Sequence, residues 1–191
     1  MKSTILILGV IAVFALKANA QHEHHSMDNS AMKHGESVQE NDVDVTFQMQ
    51  FGEVIKSNQL LNEAFVTGDQ KKVAKEVSSV QNSLSKVDMK LLSGDAHMKW
   101  MEALKTINSQ LSIIASAKSI TDQRNAFIEY NKALYESIKA FGLGGQTVYL
   151  QYCPMANNGD GANWLSLEKE IKNPYLGQKM LTCGSTKEEL N

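Results

Sequence analysis

The sequence predicts an all-α fold: an up-down-up-down four-helix bundle with a small Cys/Met-containing C-terminal appendage, the appendage holding a short β-ribbon. Three observations predict it. Apolar residues recur at three- and four-residue spacing in four successive stretches between Val43 and Gly142, the period that keeps one helical stripe on a core. The breaks between stretches are only a few residues long, which makes consecutive helices antiparallel neighbours. After Gly142-Leu143-Gly144-Gly145 the helical period stops, and TVYLQYC alternates as a strand does.

Residues 1–20, MKSTILILGVIAVFALKANA, carry Lys2, an apolar run from Ile5 to Leu16 and a small-residue end at Ala18-Asn19-Ala20. This pattern is expected to be a secretory signal peptide cut after Ala20, its apolar run being too short to span a bilayer comfortably. The mature chain is expected in the periplasm, with no membrane insertion after cleavage. The cut removes Lys2 and Lys17, so the formal charge of −2 becomes −4. That balance supplies no basic field for nucleic acid or anionic lipid.

Residues 21–42 are polar and lack apolar periodicity, as expected of a disordered leader. The leader is rich in His and Met: His22, His24, His25 and His34, with Met27 and Met32 among them. Such tracts capture metals loosely; a solvated tail with incidental histidines is the other reading.

Residues 43–187 read as a single domain, with the bundle at 43–142 and the appendage at 146–187. The first seam is Phe47, Phe51, Val54, Asn58, Leu61 and Phe65, interrupted only by Asn58. The second is Val73, Val77, Val80, Leu84, Val87 and Leu91. The third is Met98, Met101, Leu104, Ile107, Leu111 and Ile114, and the fourth Phe127, Tyr130, Leu134, Ile138 and Phe141. Gly68 and Gly94 are placed to end helices, and Asp69, Asp95 and Thr121 to cap the next ones. Each helix is expected to run about 20–25 residues.

The appendage holds both cysteines, each near a methionine: Cys153-Pro154-Met155 and Met180-Leu181-Thr182-Cys183. Thiolate and thioether ligands select copper(I) over harder ions, whereas zinc would call on more thiolates, imidazoles or carboxylates. The candidate metal ligands are therefore Cys153, Met155, Met180, Cys183 and His97. In an up-down-up-down bundle helix 4 ends where helix 3 begins, and Cys153 follows Phe141 by twelve residues; this places the Cys-Met pairs beside His97. A Cys153–Cys183 disulfide is the competing reading, worth roughly 3–4 kcal/mol on chain-entropy grounds. Met98, Met101 and Trp164 are expected to pack in the core. No Ser/His/Asp pattern, phosphate loop, HExxH or CxxC is present, so no enzyme is expected.

The run YLQYCPMANNGDGANWLSLEKEIKNPYLGQKMLTCG resembles a bacterial domain family of unknown function. The shared features are the CPM triplet, the WLS segment, the I-x-NPY-x-G turn and the M-x-x-CG close, and the likeness runs from about Val43 to Lys187. That family occurs alone as an exported protein, and fused to periplasmic adaptor subunits of heavy-metal efflux pumps of the resistance–nodulation–division type. The resemblance implies copper(I) or a related soft metal as the bound ion, and such an adaptor as a partner. It matches here at Cys153, Met155, Met180 and Cys183; the His/Met leader lies outside it. The expected function is metal sequestration or hand-off to an efflux system. The alternative is a structural or interaction domain stapled by the disulfide.

Overall fold

The computed structural model describes residues 43–191; the expected signal peptide and leader lie outside them. Four helices form a helical-bundle core, and a three-stranded antiparallel sheet of order β2-β1-β3 packs on it. The helices are α1 (Val45–Thr67), α2 (Gln70–Leu84), α3 (Gly94–Ser116) and α4 (Ile120–Phe141). The strands are β1 (Val148–Cys153), β2 (Ala162–Ser166) and β3 (Ser185–Leu190).

The α1 seam is buried throughout, Asn58 included. Gly68 ends α1 in the left-handed conformation at φ 72°, a cost only glycine avoids, and Asp69 caps α2 by accepting from Lys71 and Lys72 N–H. Helix α2 is shorter than expected, 15 residues. Its seam continues past Leu84 through buried Val87 into a 3-10 turn at Met89–Leu91. Gly94 opens α3 rather than ending a helix, and Ser93 takes the N-cap position. Ser119, not Thr121, caps α4, its hydroxyl accepting the Asp122 N–H. In both cases a serine two residues earlier already takes the extended backbone that a cap requires.

The expected α3 seam is rotated in its first half. Trp100, Ile107, Leu111 and Ile114 are buried, whereas Met98 and Met101 are 69% and 42% exposed. Trp100 carries the four-three spacing back from Ile107 through half-buried Leu104. Its ring fills the space among Phe47, Phe51 and Phe141, meeting Phe47 edge-on at 5.0 Å. One large aromatic sets the register, and the methionines fall outside it.

A second aromatic group joins Phe65, Phe127 and Tyr130 to Tyr175 of the appendage. The sheet has no core of its own. Its middle contact with the helices is Leu165 on β2. The Leu165 carbonyl accepts from Asn58 and Asn62 of α1, and its N–H donates to Asn131 of α4. The polar interruption at Asn58 therefore serves the sheet, satisfying backbone groups that would otherwise be buried unpaired. On the far edge, Glu188 of β3 accepts from Tyr135 and Lys139 of α4.

Candidate soft-metal centre

Strand β1 ends at Cys153, and β3 begins two residues after Cys183. The two strands are antiparallel with Tyr152 opposite Ser185, so the chain segments bearing the cysteines face each other across one end of the sheet. Each segment is a tight turn. Ala156 N–H bonds to Cys153 carbonyl at 3.4 Å, and Cys183 N–H to Met180 carbonyl at 3.1 Å. Each cysteine thus shares a four-residue turn with its methionine: Cys153 opens its turn and Cys183 closes its own. Pro154 stands at the second position of the first turn, where its fixed φ fits.

The two sulfurs are 2.9 Å apart and unbonded. Cys153 is fully buried, Cys183 half-buried. Beside them Met155 and Met180 are 54% and 39% exposed, accessible thioethers rather than core filling. The Cys153 thiol next to it, with desolvation adding, pushes the Cys183 thiol above its ordinary range; the Met155 backbone N–H, directed at the Cys183 sulfur, opposes this. The Cys183 thiol is therefore held toward its neutral form.

The residue that fixes this arrangement is Asn173, fully buried in the NPY turn. Its Oδ1 accepts the N–H groups of Tyr175 and Leu176, its Nδ2 donates to the Cys183 carbonyl at 2.7 Å, and its N–H bonds to the Leu181 carbonyl. One side chain so pins the loop of Met180–Cys183. In sequence NPY stands only as a shared signature; an Asx turn ahead of Pro is the signal that carries this role of Asn173. Gly184, at φ 144°, follows Cys183. A Cβ there would lie 2.8 Å from Tyr152 carbonyl and 2.9 Å from the Trp164 ring, so the strand entry can approach only because no side chain is present. Trp164 is a buried packing aromatic, edge-on to Tyr175.

His97 does not join the group. Trp100, one turn after it, packs on Phe141 at the end of α4. Met155 instead lies with Thr121 and Arg124 on the first turns of α4, lining a depression of about 260 Å³. Between Arg124 and Phe141 α4 advances roughly 25 Å. The expectation of proximity took the chain after Phe141 to stay at that end of the bundle, but β1 is extended and runs back along α4. The structure brings together Cys153 and Cys183 with Met155 and Met180 flanking them, and separates His97. Among the described residues, no three His, Cys, Asp or Glu side chains are grouped to hold a metal.

The family described as Protein of unknown function (DUF3347) matches residues 54–146, so most of the helical part is similar to a domain of unknown function. The match stops before the cysteine-bearing turns. No curated protein and no solved structure matches the chain.

Proposed function

We propose that this is an exported, non-enzymatic protein that binds copper(I), or a related soft ion, through Cys153 and Cys183 with Met155 and Met180. Its task in this reading is sequestration in the periplasm or hand-off to the adaptor of a heavy-metal efflux pump. The observation that carries the proposal is the pairing of the two sulfur-bearing turns, with the thiols in contact and both thioethers exposed. The donor set fits the ion: two thiols and two thioethers suit copper(I) rather than zinc or calcium. Two thiolates on a monovalent ion leave one net negative charge, and the Arg124 guanidinium lining the same depression as Met155 is of the complementary sign. Exposed methionines permit ligand-by-ligand exchange with a partner. The likeness of the Cys/Met signature to domains fused to efflux adaptors supports the partner. The bundle as rigid platform is read as up-down-up-down, supported by contacts of Phe141 with both Phe47 and Trp100, near the starts of α1 and α3.

A specific observation also favours a disulfide-stapled interaction domain. At 2.9 Å the sulfurs lie about midway between a disulfide, near 2.05 Å, and two thiolates on one tetrahedral ion, about 3.8 Å apart for metal–sulfur bonds near 2.3 Å. A shift of under about 1 Å reaches either state, which makes the pair a redox-selected alternative.

The deciding experiment is a free-thiol count on periplasmic protein, followed by anaerobic copper(I) titration of the reduced form against a competing chelator. Two free thiols and tight copper(I) binding that Cys153→Ser and Cys183→Ser abolish, with helicity kept, establish the metal reading. No free thiols, and no competitive binding after reduction, establish the staple.

A further inference from the structure

The described residues contain six methionines, and none belongs to the buried core. That core is built from Phe, Val, Leu, Ile, Trp, Tyr and Ala, with Cys153. Five of the eight large apolar side chains that stand exposed are methionines: Met49, Met98, Met101, Met155 and Met180. Methionine is ordinarily among the residues most often buried, so its displacement to the surface asks for a use beyond packing. The cysteine turns account for Met155 and Met180 only.

Two of the remainder stand together with the one histidine of the described residues. His97, Met98 and Met101 occupy the first turns of α3. At roughly 100° per residue they fall within one arc of about 100° on the helix surface. His97 and Met101 are one turn apart on the same side, and Met98 and Met101 are i, i+3 neighbours with Cβ atoms about 5–6 Å apart. Met89, on the 3-10 turn before α3, lines a separate shallow cavity with Leu104 and Asn108.

We infer that His97, Met98 and Met101 form a second soft-ion site, at the end of the bundle opposite the cysteine turns, taking a monovalent thiophilic cation such as silver(I) or copper(I). Thioether and imidazole are the ligands that suit such ions, and methionine chains have the reach and torsional freedom to converge on one ion across a turn. The site holds no thiolate, and the partial positive charge of the α3 N-terminus weakens a cation there, an effect that Asp95 in the same turn offsets. It therefore loads after the cysteine turns and releases its ion first. The inference does not rest on the cysteine site, since no donor is shared.

The test is a silver(I) titration of the full chain, followed through the assigned methionine ε-methyl and histidine ring signals by nuclear magnetic resonance. Met49, exposed and with no His or second Met within a helical turn, is the internal control for isolated thioether binding. The Met98, Met101 and His97 signals are expected to move together, at about ten-fold lower silver(I) than Met49, the gain from holding donors in one place. In His97→Ala and in Met98→Leu/Met101→Leu the remaining signals fall back to the Met49 range. Movement no earlier than Met49, or Met98 and Met101 moving without His97, overturns the site and leaves the patch as a docking surface. Met155 and Met180 report the cysteine turns separately, so either site can fail alone.

Discussion

Oδ1 of Asn131 accepts the backbone N–H of Leu165 at 3.1 Å. Through this bond α4 holds the middle of β2, while Asn58 and Asn62 hold the carbonyl of the same residue from α1. Replacing Asn131 by Leu leaves a buried N–H unpaired, a loss of about 1–3 kcal/mol. Because the bond joins sheet to bundle, the loss is expected in the docking of the sheet, with helical content unchanged. Urea unfolding of Asn131→Leu checks the size, and the rate of Cys153 alkylation checks the place. Wild-type stability with unchanged thiol protection would show that the sheet holds without this anchor.

Asn58 shows what the sequence could and could not convey. Heptad spacing marks the seam of α1 and Asn58 only as its interruption; neither the burial of that amide nor its partner 107 residues away is announced by the spacing. The path of β1 was lost for the same reason. Alternation in TVYLQYC marks a strand, yet only long-range pairing with Ser185–Leu190 and with Ala162–Ser166, the strand that packs on α4, sends it back along the bundle, away from His97. The rotation of α3 has a local cause: Met98-x-x-Met101 and Trp100 both fit a helical period with Ile107, and ring volume decides between them. The pairing of the two Cys/Met segments was legible as chemistry. The turns that bring the thiols together depend on Asn173 and Gly184, whose roles appear only in three dimensions.

Oxidation is expected to stabilise the domain. Cys153 and Cys183 are 30 residues apart in sequence, and closing a loop of that length contributes roughly 3–4 kcal/mol on the chain-entropy estimate. Equilibrium unfolding of oxidised and reduced protein measures the difference, with Cys153→Ala as the unbridgeable control. An oxidised form no more stable than the reduced one would mean that the bridge strains the two turns.

Gly184→Ala is expected to damage stability and site together. Its backbone at φ 144° and the nearby Tyr152 carbonyl and Trp164 ring leave no room for a methyl group, so the entry to β3 must shift and carry Cys183 with it. The expected cost is about 1–3 kcal/mol. Slower disulfide formation under a fixed oxidant is the diagnostic readout, because a purely global destabilisation would expose the thiols and speed their oxidation.

Met155→Leu with Met180→Leu separates binding from folding. Both side chains are exposed, and Leu matches Met in volume, so the unfolding midpoint should stay where it is. Copper(I) affinity should fall by at least roughly 10–100-fold, the loss that removing even an outer-shell partner of a ligand causes. Unchanged affinity would restrict the site to the two thiols.

The pH dependence follows from Cys183. Its thiol is held above the ordinary range chiefly by the Cys153 side chain, so the folded state favours the protonated form. Copper(I) uptake must then expel protons, and apparent affinity should rise with pH until the raised thiol has ionised, then level off. The same sign governs stability of the reduced protein. The contribution is fully present below the unfolded thiol value, about 8.5, and is lost as pH rises through the higher folded value. In Cys153→Ala the principal cause is gone, so Cys183 should titrate at lower pH than in the wild type. Ultraviolet titration of thiolate absorbance in both proteins reads the shift directly. Coincident Cys183 titrations would mean that the two thiols do not sense each other in solution, and that the paired-turn geometry is not the state that meets the metal.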